Sequence, residues 1–210
     1  CDVSLEQDCD HLIRQAVLTF SRIDVLINNA GLSMRALFKD LDLVVLRNLM
    51  DVNFWGTVYC TKYALPELLK NHGSVVGVSS IAGFRGLPGR TGYSASKFAM
   101  NGFLEALRVE NLKTGLHVMI AAPGFTASNI RSTALAKDGS AHGETSMDEG
   151  KMMSSEEVAS IIADGVVKRR RTLVMTSQGK MAVLMNKLFP SWVDKKVYTL
   201  FTREKNPLIR

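Results

Sequence analysis

Tyr93 and Lys97 lie four residues apart in a stretch whose apolar spacing predicts a helix. Side chains four apart share one face of a helix, so the phenol and the ammonium would be neighbours. The pKa of a tyrosine hydroxyl is about 10 in water, and a nearby ammonium lowers it by favouring the phenolate. The pair therefore suits general acid–base catalysis, although most pairs with this spacing, taken alone, are surface residues.

Ser80 precedes Tyr93 by thirteen residues and follows an apolar run at 74–79 that predicts a buried strand. At the carboxyl end of a parallel strand, a side chain faces the crevice in which doubly wound sheets bind ligands. There the hydroxyl would hold a substrate oxygen beside the phenol. The alternative is a serine that only caps or closes a turn.

Asparagines appear at two further places that suit a site. The tetrapeptide Asn-Asn-Ala-Gly at 28–31 follows another apolar run. Small residues there let the backbone approach a ligand, and asparagine side chains stabilise a turn. Asn53 interrupts an apolar helical stretch, where it is either a satisfied core amide or part of a site.

Apolar runs and helical stretches alternate along the chain and would position these residues. Strands are predicted at 25–28, 74–79, 117–121 and 173–176, and helices at 8–21, 42–70, 94–113 and 155–170. This alternation predicts an α/β fold with a doubly wound, Rossmann-like parallel sheet in three layers, α/β/α. Pro66 is expected to kink or break the second helix.

Composition narrows the class of protein. The 210 residues suit one domain, and no apolar run is long enough to span a membrane. The net charge is +6, but the clearest basic run, at 168–171, ends a helix, where cations complement the helix dipole. We therefore expect no nucleic-acid partner. Three cysteines without metal-like spacing predict no metal site and fit a reducing, cytoplasmic location.

Taken in order, these motifs resemble those of the short-chain dehydrogenase/reductase family, over roughly residues 1 to 176. Asp-Val at 2–3 and Pro-Gly at 123–124 match further family motifs, and Ser128 stands where the family usually has Thr. Within the family, the chain is similar to hydroxysteroid- and retinol-type members. The resemblance implies an NAD(P)-dependent oxidoreductase that interconverts an alcohol and a ketone or aldehyde by hydride transfer.

The resemblance also implies a role for each residue. Tyr93 would donate or accept the proton, Lys97 would lower its pKa and bind the nicotinamide ribose, and Ser80 would orient the substrate oxygen. Asn53 would hold a water that links Lys97 to solvent. The cofactor would be NAD or NADP, with NADP the favoured of the two, bound by Asp2, Val3, Asn29, Ala30, Gly31, Tyr93, Lys97, Pro123, Gly124, Phe125, Thr126 and Ser128. The substrate would contact Ser80, Phe84, Leu87 and Tyr93.

The family's glycine-rich turn, Thr-Gly-x-x-x-Gly-x-Gly, does not occur in this sequence. Since the first residue is Cys1, we expect the chain to start inside a longer reading frame and to lack the first β-α-β-α-β portion of the sheet. That portion would bind the pyrophosphate at a helix N-terminus. The expected units are a partial catalytic domain at 1–177 and an amphipathic extension at 178–210. The alternative is a catalytically silent binding or scaffold protein on the same fold.

Apolar residues beside Ser80 and Tyr93 predict an apolar substrate, such as a steroid, a retinoid or a long-chain ketone or alcohol. Phe84, Leu87 and Pro88 carry this prediction, unless they only pack their loop. The irregular stretch at 126–151 would close over the substrate as a lid.

The extension at 178–210 alternates basic residues with Trp, Phe and Leu, and Pro190 divides it into two amphipathic pieces. Such a segment suits peripheral contact with a membrane, and a membrane-surface adaptor is a further alternative function. Its apolar face would otherwise cover the substrate pocket or a neighbouring subunit. The helices at 42–70 and 94–113 are those that the family uses to form homodimers or homotetramers, although their apolar residues equally suit intrachain core.

Overall fold

The structure, a computed structural model, describes residues 1–141, 152–203 and 207–209 of the chain. Within them, four strands pair in parallel, in the order in which they occur along the chain. They are β1 (Val25–Asn28), β2 (Ser74–Val78), β3 (His117–Ala122) and β4 (Thr172–Val174). The helices are α1 (Glu6–Phe20), α2 (Leu43–Met50), α3 (Gly56–Lys70), α4 (Thr91–Glu110), α5 (Ser155–Val167), α6 (Ser177–Leu188) and α7 (Pro190–Thr202). The predicted α/β class with a parallel sheet is confirmed.

Helices cover both faces of the sheet, because successive residues of a strand point to opposite sides. On one face, Val75 packs in a cluster with Leu68 of α3 and Leu104 of α4. On the other face, its neighbour Val76 packs with Ile162 of α5. Burying a side chain as completely as Leu104 is buried contributes about 1.5–3 kcal/mol. These two clusters fix the strands whose carboxyl ends carry the candidate site.

The long helical stretch that contains Pro66 departs from the prediction. Helix α3 runs through Pro66 and ends at Lys70, and the irregularity lies earlier, in a π-helical segment (Asp51–Trp55) between α2 and α3. A proline removes the hydrogen bond to the carbonyl four residues back, here that of Lys62. Lys62 is exposed, so water can satisfy that carbonyl without a break in the helix. The expected break at Pro66 is therefore wrong, and a kink there stays a prediction.

The basic run at 168–171 contributes contacts within the fold. It follows the end of α5, where Lys168 pairs with Asp164 at 2.7 Å. Arg169 donates to the carbonyls of His72 and Gly115. These contacts fit the structural interpretation of the run.

Two other segments lie near the site. The predicted lid is described as far as residue 141 and again from 152, and residues 142–151 lie outside the described part of the chain. The described lid residues are joined to the rest of the fold through parallel bridges, Met34 with Leu135 and Thr126 with Met153. The C-terminal segment divides at Pro190 into α6 and α7, as its sequence predicts.

Candidate active site

Ser80 lies just beyond the carboxyl end of β2. Its backbone is extended, and it caps a short 3₁₀ turn (Ile81–Gly83), with its hydroxyl accepting a hydrogen bond from Ala82 N at 3.2 Å. The cap that the sequence left as an alternative is therefore present. The Ser80 side chain also acts on the hydroxyl of Tyr93, where it offsets part of the rise in pKa that burial causes.

Tyr93 and Lys97 occupy the first two turns of α4 and are 8% and 2% exposed. The Lys97 ammonium lies 5.9 Å from the centroid of the Tyr93 ring and donates a hydrogen bond to the Val78 carbonyl at 2.8 Å. The carboxyl end of β2 therefore holds Lys97 and positions Ser80. The structure thus brings together the hydroxyl, the phenol and the ammonium that the sequence singled out.

The electrostatics of this trio differ from the expectation. The pKa of Tyr93 is raised, because burial disfavours the phenolate more than the hydrogen bond with Ser80 and the charge of Arg90 favour it. Burial also lowers the pKa of Lys97 to about 8. Arg90 is a cation that favours the Tyr93 phenolate, and the lowering of the tyrosine pKa by Lys97 stays a prediction. At neutral pH the phenol carries its proton.

Asn53 lies in the π-helical segment and is fully buried. Its side chain accepts from Leu32 N at 2.7 Å and donates to Leu32 O at 2.9 Å and Ser96 Oγ at 2.8 Å. Both amide hydrogens are thereby used. The geometry fits the satisfied-amide alternative for this side chain, and the water relay stays a prediction.

A cavity of about 110 Å³ lies at the carboxyl end of β1, and Val3, Asn29 and Ala30 are among its lining residues. This volume is below the roughly 300–1,000 Å³ of a complete small-molecule site, so it fits one ring of a dinucleotide rather than the whole. Asp2 does not line it. The Asp2 carboxylate accepts from Ser4 N at 2.9 Å and Ser4 Oγ at 2.8 Å, which lowers the pKa of Asp2.

Gly31 lies where the two predicted sites meet. A Cβ added at Gly31 would lie 3.2 Å from Asn53 Oδ1 and 3.5 Å from Lys97 Nζ. A side chain at this position would therefore occupy the space beside the ammonium. The missing side chain suits a residue whose backbone approaches a cofactor.

The predicted nicotinamide-side residues follow the carboxyl end of β3. Thr126 Oγ1 donates to the Gly124 carbonyl at 3.2 Å, and Phe125 is 53% exposed. Pro123 is half-buried and Ser128 is exposed. Because β1 and β3 flank β2, these residues and the turn at 28–31 lie on either side of Ser80. Dinucleotides bind at this edge of doubly wound sheets.

The structure places Leu87 and Phe84, the two apolar residues predicted to contact the substrate, in different surroundings. Leu87 lines a cavity of about 500 Å³ between its loop and α7. Phe84 packs against the core cluster that contains Leu104 and does not line that cavity. A substrate contact of Phe84 therefore has less support than one of Leu87, and both stay predictions.

The site is supported by three residues that the sequence did not single out: Ser96, Arg90 and Ser33. Ser96 Oγ accepts from Asn53 and donates to the Tyr93 carbonyl at 2.8 Å. Arg90 donates to Ser33 Oγ at 2.9 Å. Their contacts join segments that are far apart in the sequence. Helical spacing could have indicated only Ser96 as a residue near the site, because it follows Tyr93 by three residues.

Comparison with known families and relatives agrees with this geometry. A family model described as short chain dehydrogenase matches residues 1–139. The chain is 36% identical over 173 residues to dehydrogenase/reductase SDR family member 7B of Mus musculus, covering 81% of this chain and 54% of the relative. It is 37% identical over 210 residues to 11-beta-hydroxysteroid dehydrogenase A of Arachis hypogaea, covering 94% and 59%. The chain thus spans a little over half the length of these relatives.

Solved structures share the fold. A short-chain dehydrogenase from Streptomyces avermitilis superposes with a TM-score of 0.76 at 22% identity, covering 98% of this chain and 80% of that one. An alcohol dehydrogenase from the archaeon Thermococcus sibiricus, complexed with 5-hydroxy-NADP, gives 0.69 at 18% identity, covering 83% and 71%. At these identities the likeness concerns the fold alone.

Proposed function

Because the chain belongs to the short-chain dehydrogenase/reductase family, we propose that it is an NAD(P)-dependent oxidoreductase that interconverts an alcohol and a ketone or aldehyde. One observation carries the proposal. The Ser80 side chain acts directly on the Tyr93 hydroxyl and lowers its pKa, and the Lys97 ammonium is buried one helical turn further on. This is a proton donor beside a group that can hold the oxygen that receives the proton.

In reduction, Tyr93 donates its proton to the carbonyl oxygen and Ser80 holds that oxygen by a hydrogen bond. The raised pKa of Tyr93 keeps it protonated, which is the form that this step needs. Lys97, with its pKa lowered to about 8, returns a proton towards Tyr93 more readily than an ordinary lysine would. When bound, the nicotinamide supplies or accepts the hydride.

For the cofactor we propose NAD or NADP. Val3, Asn29 and Ala30 would hold the adenine side, and the turn that contains Pro123 and Gly124 would hold the nicotinamide side. The cavity at the carboxyl end of β1 and the open space beside Gly31 support this placement. Burial of Lys97 beside Gly31 supports its predicted bond to the ribose.

For the substrate we propose an apolar alcohol or ketone of steroid-like size. Two observations support this class. Relatives include proteins named 11-beta-hydroxysteroid dehydrogenase. Leu87 and Pro88 also line the cavity of about 500 Å³ that lies between their loop and α7.

Turnover of the natural polypeptide that contains this chain tests the proposal. We would follow nicotinamide absorbance with 11β-hydroxy- and 11-oxosteroids, retinol and long-chain ketones, each with NAD and NADP. Tyr93→Phe should lower kcat/KM by at least about 100-fold, because it removes the proton donor. Tyr63→Phe is the matched control, since the Tyr63 hydroxyl bonds Glu6 at 2.7 Å, away from the site. Unchanged turnover in Tyr93→Phe would exclude the proposed mechanism.

We also propose that α6 and α7 contact an anionic membrane surface. Met181, Leu184 and Leu188 form one stripe of α6 and are 57%, 50% and 58% exposed. Lysines lie close to this stripe in sequence. In the described part of the chain, no helix is both long and apolar enough to cross a membrane. An exposed apolar stripe among cations instead suits an interfacial position.

Flotation with vesicles that contain anionic phospholipid tests this contact. Leu184→Glu should reduce the floated fraction severalfold, because it places an anion in the stripe. Val109→Glu, at a 63% exposed position of α4, is the matched control and should float like the wild type. Equal flotation of the two variants would count against a role for α6.

We also propose a homodimer or homotetramer through α3, α4 and the segments before them. Trp55 and Phe98 keep 42% and 46% of their surface exposed there. Leu49, Leu104 and Leu107 are buried within the chain, which fits the intrachain-core alternative for these three residues. Sedimentation analysis of the natural polypeptide and of Phe98→Glu would test the interface, with a monomeric wild type refuting it.

A further inference from the structure

The C-terminal segment contacts the loop that joins Ser80 to Tyr93 at three separated points. At its start, a Cβ added at Gly179 of α6 would lie 2.6 Å from Ile81 Cδ1, so α6 packs directly beside the residue after Ser80. At its end, Leu208 packs on Gly89, where an added Cβ would lie 2.5 Å from Leu208 Cδ1. The C-terminal segment therefore contacts the loop near both of its ends and at its middle.

Arg85 makes the middle contact and connects the loop to both helices. Its guanidinium donates to Asn186 Oδ1 of α6 at 2.9 Å and forms an ion pair with Asp194 of α7. Asn186 in turn donates to the Phe84 carbonyl at 3.2 Å. The Arg85 side chain is 18% exposed and that of Asp194 is 64% exposed, so Arg85 is mostly buried while its ion pair stays in contact with water.

The contacts of Arg85 lie at the wall of the larger cavity. Arg85 and Asp194 line the cavity of about 500 Å³, together with Leu87 and Pro88 of the loop and Val197 of α7. The reacting side chains of Ser80, Tyr93 and Lys97 do not line this cavity, and Lys97 is held separately by the Val78 carbonyl of β2 at 2.8 Å. Loss of the Arg85 contacts would therefore move the wall of the cavity and leave the proton donor in place.

We propose that Arg85 is a positioning residue that ties α6 and α7 to the loop between Ser80 and Tyr93, and that it thereby determines how well the apolar substrate binds. The inference rests on the proposed function for its substrate. It assigns to the C-terminal segment a part in the site, in addition to any contact with a membrane.

Two measurements on the natural polypeptide test the proposal. Arg85→Met should raise KM for an 11-oxosteroid about 10-fold and change kcat by less than about twofold, because it removes substrate positioning and keeps the chemistry. Trypsin should cleave at Lys187 and Lys195 about 10-fold faster, since α6 and α7 open more often. Lys168→Met is the matched control: it breaks an exposed ion pair on α5 and should change neither quantity.

Further variants cover the case in which Arg85→Met fails to fold. Asn186→Ala removes one acceptor, Asp194→Asn removes the negative charge of the ion pair, and both keep Arg85, so each should give a smaller change of the same kind. Unchanged KM and unchanged cleavage in all variants would overturn the proposal, and so would a fall in kcat at constant KM. If the wild type turned over no substrate, the proposed function would fail, while the cleavage rates would still decide whether Arg85 holds the helices.

Discussion

Lys97→Met should make the folded protein more stable at neutral pH, although it removes a residue of the candidate site. Lys97 is 2% exposed, and its ammonium bonds only the Val78 carbonyl among the described contacts. Since one pKa unit is worth about 1.4 kcal/mol, the drop from 10.5 to about 8 means that the buried ammonium costs the fold about 3 kcal/mol. Methionine fills much the same space without a charge.

In Lys97→Met the Val78 carbonyl loses its hydrogen-bond donor, which reduces the gain in stability. An unsatisfied buried carbonyl costs about 1–3 kcal/mol, so the net gain in unfolding free energy should be about 1 kcal/mol near pH 7. The sign depends on pH. Between pH 8 and 10.5 the unfolded lysine binds more protons than the folded one, so wild-type stability rises with pH through this window. The variant lacks that rise, and near pH 10 it should be the less stable protein.

Urea unfolding of both proteins at several pH values from about 7 to 10 measures this difference, because all other titrating groups are shared. Lys62→Met, at an exposed position on α3, is the control and should show no pH-dependent difference from wild type. If the wild-type and Lys97→Met curves ran parallel across this range, the burial and the lowered pKa of Lys97 would be refuted.

Three further predictions concern the fold around the site. Asn53→Ala should lower the unfolding free energy by about 3 kcal/mol in urea titrations, because Leu32 loses both partners; a loss below about 1 kcal/mol would contradict this. Leu104→Ala should cost about 2–5 kcal/mol by the same assay, since it opens a cavity in the core, and an unchanged midpoint would contradict the packing. Burial lowers the pKa of His117, so stability should fall as pH drops below about 6.5, and thermal unfolding of His117→Gln should show a shallower fall.

The pattern of apolar residues along the chain predicted the strands accurately and predicted the details of the helices less accurately. The first strand lies where the apolar run places it, and the others agree within two residues. The break predicted at Pro66 does not occur, because the rule for proline ignores whether water reaches the freed carbonyl. The π-helical segment has no sequence signature in the local pattern, and it sets the direction of Asn53.

For the candidate site, the sequence supplied the residue types, and the surroundings decided their state. Spacing alone placed Tyr93 and Lys97 one turn apart on α4. Their pKa values depend on burial, which no spacing contains, and burial reversed the expected direction for Tyr93. The same holds for Phe84, whose chemistry suits a substrate pocket and whose partly buried side chain packs against the core.

The amino-acid sequence by itself determined that this chain forms a parallel sheet with a hydroxyl, a phenol and an ammonium at one strand end, because those features follow from periodicity and from residues close together along the chain. Only the tertiary structure decided what each group touches. Arg85 and Asn186 are 101 residues apart, and Asn53 and Ser96 are 43 apart. Contacts over such separations are set by the packing of whole helices and strands, and the hydrogen bonds and pKa values of the site follow from that packing.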